Sequence, residues 1–239
     1  SLISRYVGSK NQTKANEAAV QSVVLGIIVS IIVTVIFVVI LEPTLYIMGA
    51  KEVFNYAIDY GRLLFIFSMV TILPVAYAGI FRAEGDIKKA TLPMCISAIL
   101  NMILDPIFIY TLNLGITGAA IATLISIFIE LLIILYWMFI KKDTYFKYTF
   151  KNFKINWGMY KEILNVGIPA GLEELLMAVV AIAVNLIFEI VGGTSAVATY
   201  TIVMRLISIA IMPTIGIATS TITVVGIAYG ARNFKNIKI

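Results

Sequence analysis

Apolar residues along this chain gather into six runs, at approximately 18–41, 63–81, 90–110, 117–140, 163–191 and 197–227. A stretch of about 20 such residues spans a hydrocarbon core of about 30 Å, so each run predicts a membrane-crossing helix. The last two exceed the minimum and have length to spare for tilting or bending. Short polar joints separate the runs, and the longest is KKDTYFKYTFKNFKINWGMYKE, from Lys141 to Glu162. It is the one joint that reads as a linker between halves. The pattern predicts an all-α polytopic membrane protein, a helical bundle divided near that linker.

Composition agrees and narrows the chemistry. Hydrophobic residues make up 61% of 239 positions and mean hydropathy is +1.00, against about 45–50% apolar residues in soluble domains. With one cysteine, Cys95, and no histidine, the chain cannot build a disulfide, a zinc site or a histidine proton relay by itself. Chemistry inside its spans must use carboxylates, amides and hydroxyls. The opening SLISRYVGSKNQ is polar and has no basic segment leading into a short apolar core, so no signal peptide is visible. The chain reads as an excerpt.

Charge sets the expected orientation, because Lys and Arg beside short loops resist translocation. Arg5, Lys10 and Lys14 lie at the start, Arg82, Lys88 and Lys89 at the second joint on that side, six lysines in the linker, and Arg232, Lys235 and Lys238 at the end. The other side holds Lys51 and Arg62, and Arg205 falls inside the sixth run. Both chain ends are therefore expected at the cytoplasmic face of a cell membrane. Contact of these loops with anionic lipid accounts for the net charge of +5 without a nucleic-acid partner.

One internal repeat stands out. Gly8-Ser9-Lys10-Asn11 recurs 222 residues later as Gly230-Ala231-Arg232-Asn233, on the same expected side. Matched topology suggests a parallel repeat of about six helices and a parent protein of about twelve, as in transporters with two similar halves.

Within the spans, Asp105 is the residue hardest to explain by folding. A carboxylate near a helix centre costs about 2.5–3.5 kcal/mol on insertion scales, while each Leu, Ile, Phe or Val returns about 0.3–0.6. The run inserts regardless, yet such residues usually face a bundle interior or a wet cavity. Asn101 shares its helix face one turn earlier, and Pro106 cannot donate the hydrogen bond that would engage the carbonyl of Met102. Thr123 on the next run falls at a similar depth once LNLGITG is read as a turn. Such oxygens suit Na⁺, a partly dry carboxylate also suits H⁺, and a local hydrogen-bond network is the plainer reading. Glu130, Glu173, Glu174 and Arg205 are candidates for a substrate cavity or for internal ion pairs; Glu173 and Glu174 point about 100° apart. Pro43, Pro74, Pro93, Pro106, Pro169 and Pro213 mark places where helices are expected to bend or hinge. Methionines and aromatics supply either an adaptable cavity lining or ordinary packing.

FRAEGDIKKA, then NMILDPIFI, then LGITGAAIAT resemble, in order and spacing, the multidrug and toxic compound extrusion (MATE) transporters. GIPAGLEELL, GGTSAVATYTIVMRL and MPTIGIATSTITVVG resemble the first two helices of that family's second lobe. The resemblance covers nearly the whole chain. It implies a two-lobe, twelve-helix fold, with residues 1–154 holding the end of helix two through helix six plus the linker, and 155–239 the first two helices of the second lobe. It also implies cation-coupled export of amphipathic, often cationic organic compounds by alternating access, with no cofactor beyond a coupling Na⁺ or H⁺. The family's first-lobe cation site falls on Asp105, Asn101 and Thr123. An asparagine common four residues before the RAEGD arginine is replaced by Ala78, and Ile227 and Ala228 stand where polar residues are common.

The implied partners are small organic substrates, the bilayer and the rest of the transporter chain. The alternative within transport is a flippase for lipid-linked oligosaccharide or polysaccharide. An enzyme is not expected, since an intramembrane hydrolase would need paired aspartates or HExxH, and a purely structural subunit leaves Asp105 without a purpose.

Overall fold

A computed structural model describes residues 2–47, 54–141, 143–148 and 153–233. Among them every regular element is helical. A short α1 (Leu2–Gly8) leads into the 36-residue α2 (Gln12–Ile47), followed by α3 (Phe54–Ile66) and α4 (Ser68–Glu84). The helix α5 (Ile87–Pro106) runs on as a π-helical turn, Ile107–Thr111, and α6 (Gly115–Leu135) runs on as another, Tyr136–Lys141. The last element, α7 (Trp157–Gly230), turns back on itself at Gly193, whose φ of 63° and ψ of −163° are open to glycine. Its two arms are Trp157–Gly193 and Ser195–Gly230.

Five helices are long and apolar enough to cross a membrane, and α3 with α4 makes a sixth crossing bent by 56°. The six expected runs are thus present, with one correction. The second crossing begins at Phe54 rather than near 63, and it breaks at Phe67, where no proline stands. Pro74, Pro93 and Pro106 sit inside continuous helices instead. The break is held from α2: Ser68 donates its hydroxyl to the Ser30 carbonyl at 2.9 Å and also meets the Thr34 hydroxyl, which itself donates to Ser30 at 2.9 Å.

α1, the start of α2, the α4–α5 turn, the linker and the end of α7 all gather at one end of the bundle. Lys51 of the expected opposite side, and Lys142, Lys151, Lys235 and Lys238 of the basic end, lie outside the described residues. The RAEGD motif makes its turn physically legible. Gly85 closes α4 at φ 91°, with its N–H and that of Asp86 returning to Arg82 and Phe81, and the Asp86 carboxylate caps α5 by accepting from the Lys89 amide at 3.1 Å. Burial opposes ionisation of Asp86, but the hydrogen bonds and charge of Lys89 outweigh it and hold the carboxyl below its ordinary range.

The buried core also sits at this end, with Phe81 and Ile134 fully enclosed among Ala15, Ala18, Ala19, Tyr77 and Met138. The described parts of the linker are fastened there rather than slack. Gln12 donates to the Tyr145 carbonyl at 2.6 Å, Asn16 accepts from the Lys147 amide at 3.0 Å, Gln21 donates to the Lys154 carbonyl at 2.7 Å, and Glu17 accepts from Asn156 at 2.8 Å. All four belong to the first ten residues of α2. From α4, Glu84 accepts the Tyr145 amide at 2.9 Å, and Phe146 is 3% exposed. The Tyr148 hydroxyl is buried among these groups, and that burial, with the Glu84 charge and Tyr77, pushes its titration upward.

Candidate functional site

Small residues bring α5 and α6 together. Gly118, Ala122 and Ser126 recur every four positions along α6 and are buried; a Cβ on Gly118 would stand 2.6 Å from the Phe108 carbonyl oxygen. In a membrane, where apolar surface gains nothing by leaving lipid, such close backbone approach is a main source of helix affinity. It also sets the polar side chains flanking the seam within reach of one another.

Asn101 stands at the centre of that polar group. Its Nδ2 donates to the Asp105 carboxylate at 3.1 Å and to the Thr123 hydroxyl at 3.4 Å. All three residues are partly buried. The turn between the helices is tighter than LNLGITG suggests, because α6 already begins at Gly115, with Asn113 and Gly115 at positive φ. Thr123 therefore lies about 12 Å along α6 from its start, and Asp105 about 9 Å from the end of the π turn at Thr111. A π turn directly after Pro106 is a local departure from α geometry of the kind often found at functional sites.

The group offers one negative charge and neutral oxygens. Among the described residues no cluster of three Asp, Glu, Cys or His exists, so the donor set suits a monovalent cation or a proton better than a divalent metal. The Asn101 –NH₂ lies between the two oxygens that a cation would bridge. Rotating the amide about its terminal torsion would exchange that donor for Oδ1 and turn a third oxygen toward the other two.

The other candidates are dispersed. Glu130 on α6 lies beside Ser97 of α5, a residue the sequence reading passed over although 97, 101 and 105 share a four-residue spacing. Glu173, Glu174 and Arg205 are exposed on α7, and among the described residues no ion pair joins Arg205 to either acid.

A second constellation occupies the basic end, where the two copies of the 222-residue repeat meet. A Cβ on Gly8 would lie 2.0 Å from the Ile227 carbonyl oxygen, and one on Gly230 would lie 2.1 Å from that of Arg5. Each glycine thus rests on the residue three positions before the other. The helix ends match bond for bond: Lys10 to Val7 and Asn11 to Tyr6 in α1, Arg232 to Tyr229 and Asn233 to Ala228 in α7. Lys10 and Arg232 are both left-handed, at φ 57° and 53°, which completes a Schellman-type close at each end and places a cation at each helix's negative pole. Beside this seam Arg5 pairs with Glu162 at 3.3 Å, and a cavity of about 690 Å³ opens between Leu2, Ile3, Ser22, Glu162, Ile222 and Gly226.

Comparison with known proteins supplies the remaining evidence. The MatE family model matches residues 1–107 and 169–239. The multidrug export protein MepA of Staphylococcus haemolyticus is 32% identical over 207 residues, covering 86% of this chain and 45% of its own. MepA of Staphylococcus aureus strain NCTC 8325 / PS 47 is 30% identical over the same coverage. The chain spans about half the length of these relatives. Among solved structures, an outward-facing multidrug resistance MATE transporter of the MOP superfamily superposes with TM-score 0.89 at 35% identity, over 98% of this chain and 52% of that one. A MOP superfamily transporter from Pyrococcus furiosus, with a binding pocket of reversed polarity suggesting a different function, gives 0.92 at 37% identity, again over 98% and 52%.

Proposed function

The chain belongs to the MatE family of multi-pass membrane transporters, and from that premise we propose that the full transporter is a multidrug exporter driven by Na⁺ or H⁺. Residues 1–154 are the part of its first lobe from the end of helix two, with the linker, and 155–239 open the second. The basic end faces the cytoplasm, as the lysine and arginine distribution requires. Substrates are amphipathic, often cationic organic compounds.

The convergence of Asp105, Asn101 and Thr123 carries this reading. A carboxylate at membrane depth whose neighbours are an amide and a hydroxyl, with no Lys or Arg among the described residues bonded to it, has its charge left for a mobile cation. Binding turns the Asn101 amide and draws the three side chains together; release restores the present hydrogen bonds. The packed Gly8–Gly230 seam supports alternating access, since it closes the two repeat ends at the cytoplasmic face, and likeness to an outward-facing transporter agrees with that state. Three acids in the apolar runs of α7, namely Glu173, Glu174 and Glu189, against Arg205 favour cationic cargo over the phosphate-bearing substrates of a flippase.

Efflux by the full transporter in vesicles, under separately imposed Na⁺ and H⁺ gradients, tests the assignment. Asp105→Asn should abolish gradient-driven efflux under the gradient that drives the wild type. Wild-type efflux by that variant would overturn the cation site.

A further inference from the structure

The polar file between α5 and α6 continues past Thr123 toward the basic end. Ser97 occupies the same stripe of α5 one turn beyond Asn101, is 5% exposed, and lies beside the carboxylate of Glu130. Glu130 follows Thr123 by seven residues, two turns of α6, and so returns to the same face. From Asp105 to Ser97 the helix advances about 12 Å. Two carboxylates therefore stand at two levels of one interhelical groove, with the Asn101 amide and the Thr123 and Ser97 hydroxyls between them.

Among the described residues no ion pair includes Glu130. A single serine hydroxyl cannot balance a carboxylate in a span, where charged groups pair with one another or mark ion pathways. A purely structural contact to Ser97 would be served as well by glutamine, which carries no charge to insert.

We propose that Glu130, oriented by Ser97, is a second station on the ion path, through which the ion leaving Asp105 reaches the cytoplasmic face. This rests on the cation-coupled reading above. If the ion is a proton, the Glu130 carboxylate gains the proton that Asp105 loses and then yields it to water at the basic end. If it is Na⁺, the Glu130 oxygens replace those of Asp105 as ligands and no bond is made or broken. Asp105 captures the ion in the outer half; Glu130 lowers the barrier to its departure inward.

The test uses the full transporter in vesicles and in detergent, with Glu130→Gln, Glu130→Asp, Ser97→Ala and Asp105→Asn. Equilibrium binding of a fluorescent organic cation, with its dependence on Na⁺ and pH, is measured beside gradient-driven efflux of the same dye across a pH series. Glu130→Gln should bind the dye with wild-type cation dependence and lose gradient-driven efflux, Glu130→Asp should restore efflux, and Ser97→Ala should displace its pH profile. Wild-type rate and pH profile in Glu130→Gln would overturn the proposal. So would joint loss of dye binding, thermal stability and efflux without rescue by Glu130→Asp, the signature of a structural role. Wild-type efflux by Asp105→Asn would instead sink the cation site itself, a separate outcome.

Discussion

Replacing Gly8 with alanine adds one carbon where the seam has no space for it. That carbon would lie 2.0 Å from the Ile227 carbonyl oxygen and 2.8 Å from the carbon behind it, far inside the about 3.5 Å at which such atoms rest. Both obstacles are backbone, so no rotamer change relieves them, and the helix ends must part by about 1 Å or more. Overpacking of this kind costs about 1–3 kcal/mol. Under the proposed alternating access, that cost, levied only on the state closed at the basic end, would shift the balance between closed and open states by about 5- to 150-fold. Gly230→Ala meets the mirror obstacle at Arg5, 2.1 Å away, and should act alike. Because one separation relieves both clashes, the double variant should cost clearly less than the sum of the two singles. Spin labels at the exposed positions of Lys10 and Arg232, in a background lacking Cys95, report the separation in the full transporter, with efflux measured in parallel. Gly26→Ala is the control, since its added carbon would rest at an ordinary 3.5 Å from Leu73. A distance distribution and efflux rate unchanged by Gly8→Ala would refute the description of the seam.

Other substitutions probe the site and the linker separately. Thr123→Val removes a ligand oxygen while keeping shape; if Na⁺ is the ion, its affinity should fall by about 1.5–3 kcal/mol, the worth of a polar group on a charge, whereas a proton's should barely change, and calorimetric or dye-displacement titration distinguishes the two. Gly118→Ala should drive α5 from α6 at Phe108 and weaken both ion binding and thermal stability, the latter by about 1–3 kcal/mol, read by a thermal melt with and without the ion. At the linker, Lys89→Ala removes the partner of Asp86, at 2.8 Å, and of Asp143, at 3.4 Å, and should speed protease cleavage within 143–148. Asp86 titrates below its ordinary 3.8 because of Lys89, so the contribution of this contact is fully present above that value and is lost as pH falls through the lower folded one. The share of linker protection that depends on Lys89, read as the difference between the wild type and Lys89→Ala, should accordingly be flat from neutral pH down to the ordinary carboxylate range.

Much of this architecture is legible from the residues because lipid enforces one rule, that backbone groups be satisfied within each span. Run length alone locates the crossings, and Gly85-Asp86 announces its turn through a left-handed close and a side-chain cap. The four-residue echo at Gly8 and Gly230 was visible as text, but that the two copies press against each other was not, since nothing in sequence states which repeat ends touch. The bend at Phe67 was hidden for a related reason: it depends on a carbonyl and a hydroxyl of α2, 34 or more residues away, while Pro74, Pro93 and Pro106 lie within continuous helices. Asp105, Asn101 and Thr123 were found by cost and spacing. Ser97 was not, because serine is cheap in a span and carries no such signal until Glu130 is seen beside it. Glu173, Glu174 and Arg205 announce themselves equally by cost, yet their positions on α7 give no common partner.

The linker's attachment has a mechanical meaning. A strand pinned at Tyr145, Lys147, Lys154 and Asn156 to the start of α2 does not behave as a string between two bodies; it clamps the foot of the next helix. The arm Trp157–Gly193 has 37 residues, a lever of about 55 Å. Rotation of about 10° at that clamped foot sweeps its far tip through about 10 Å, so a modest rearrangement at the basic end is magnified into a wide displacement at the opposite one.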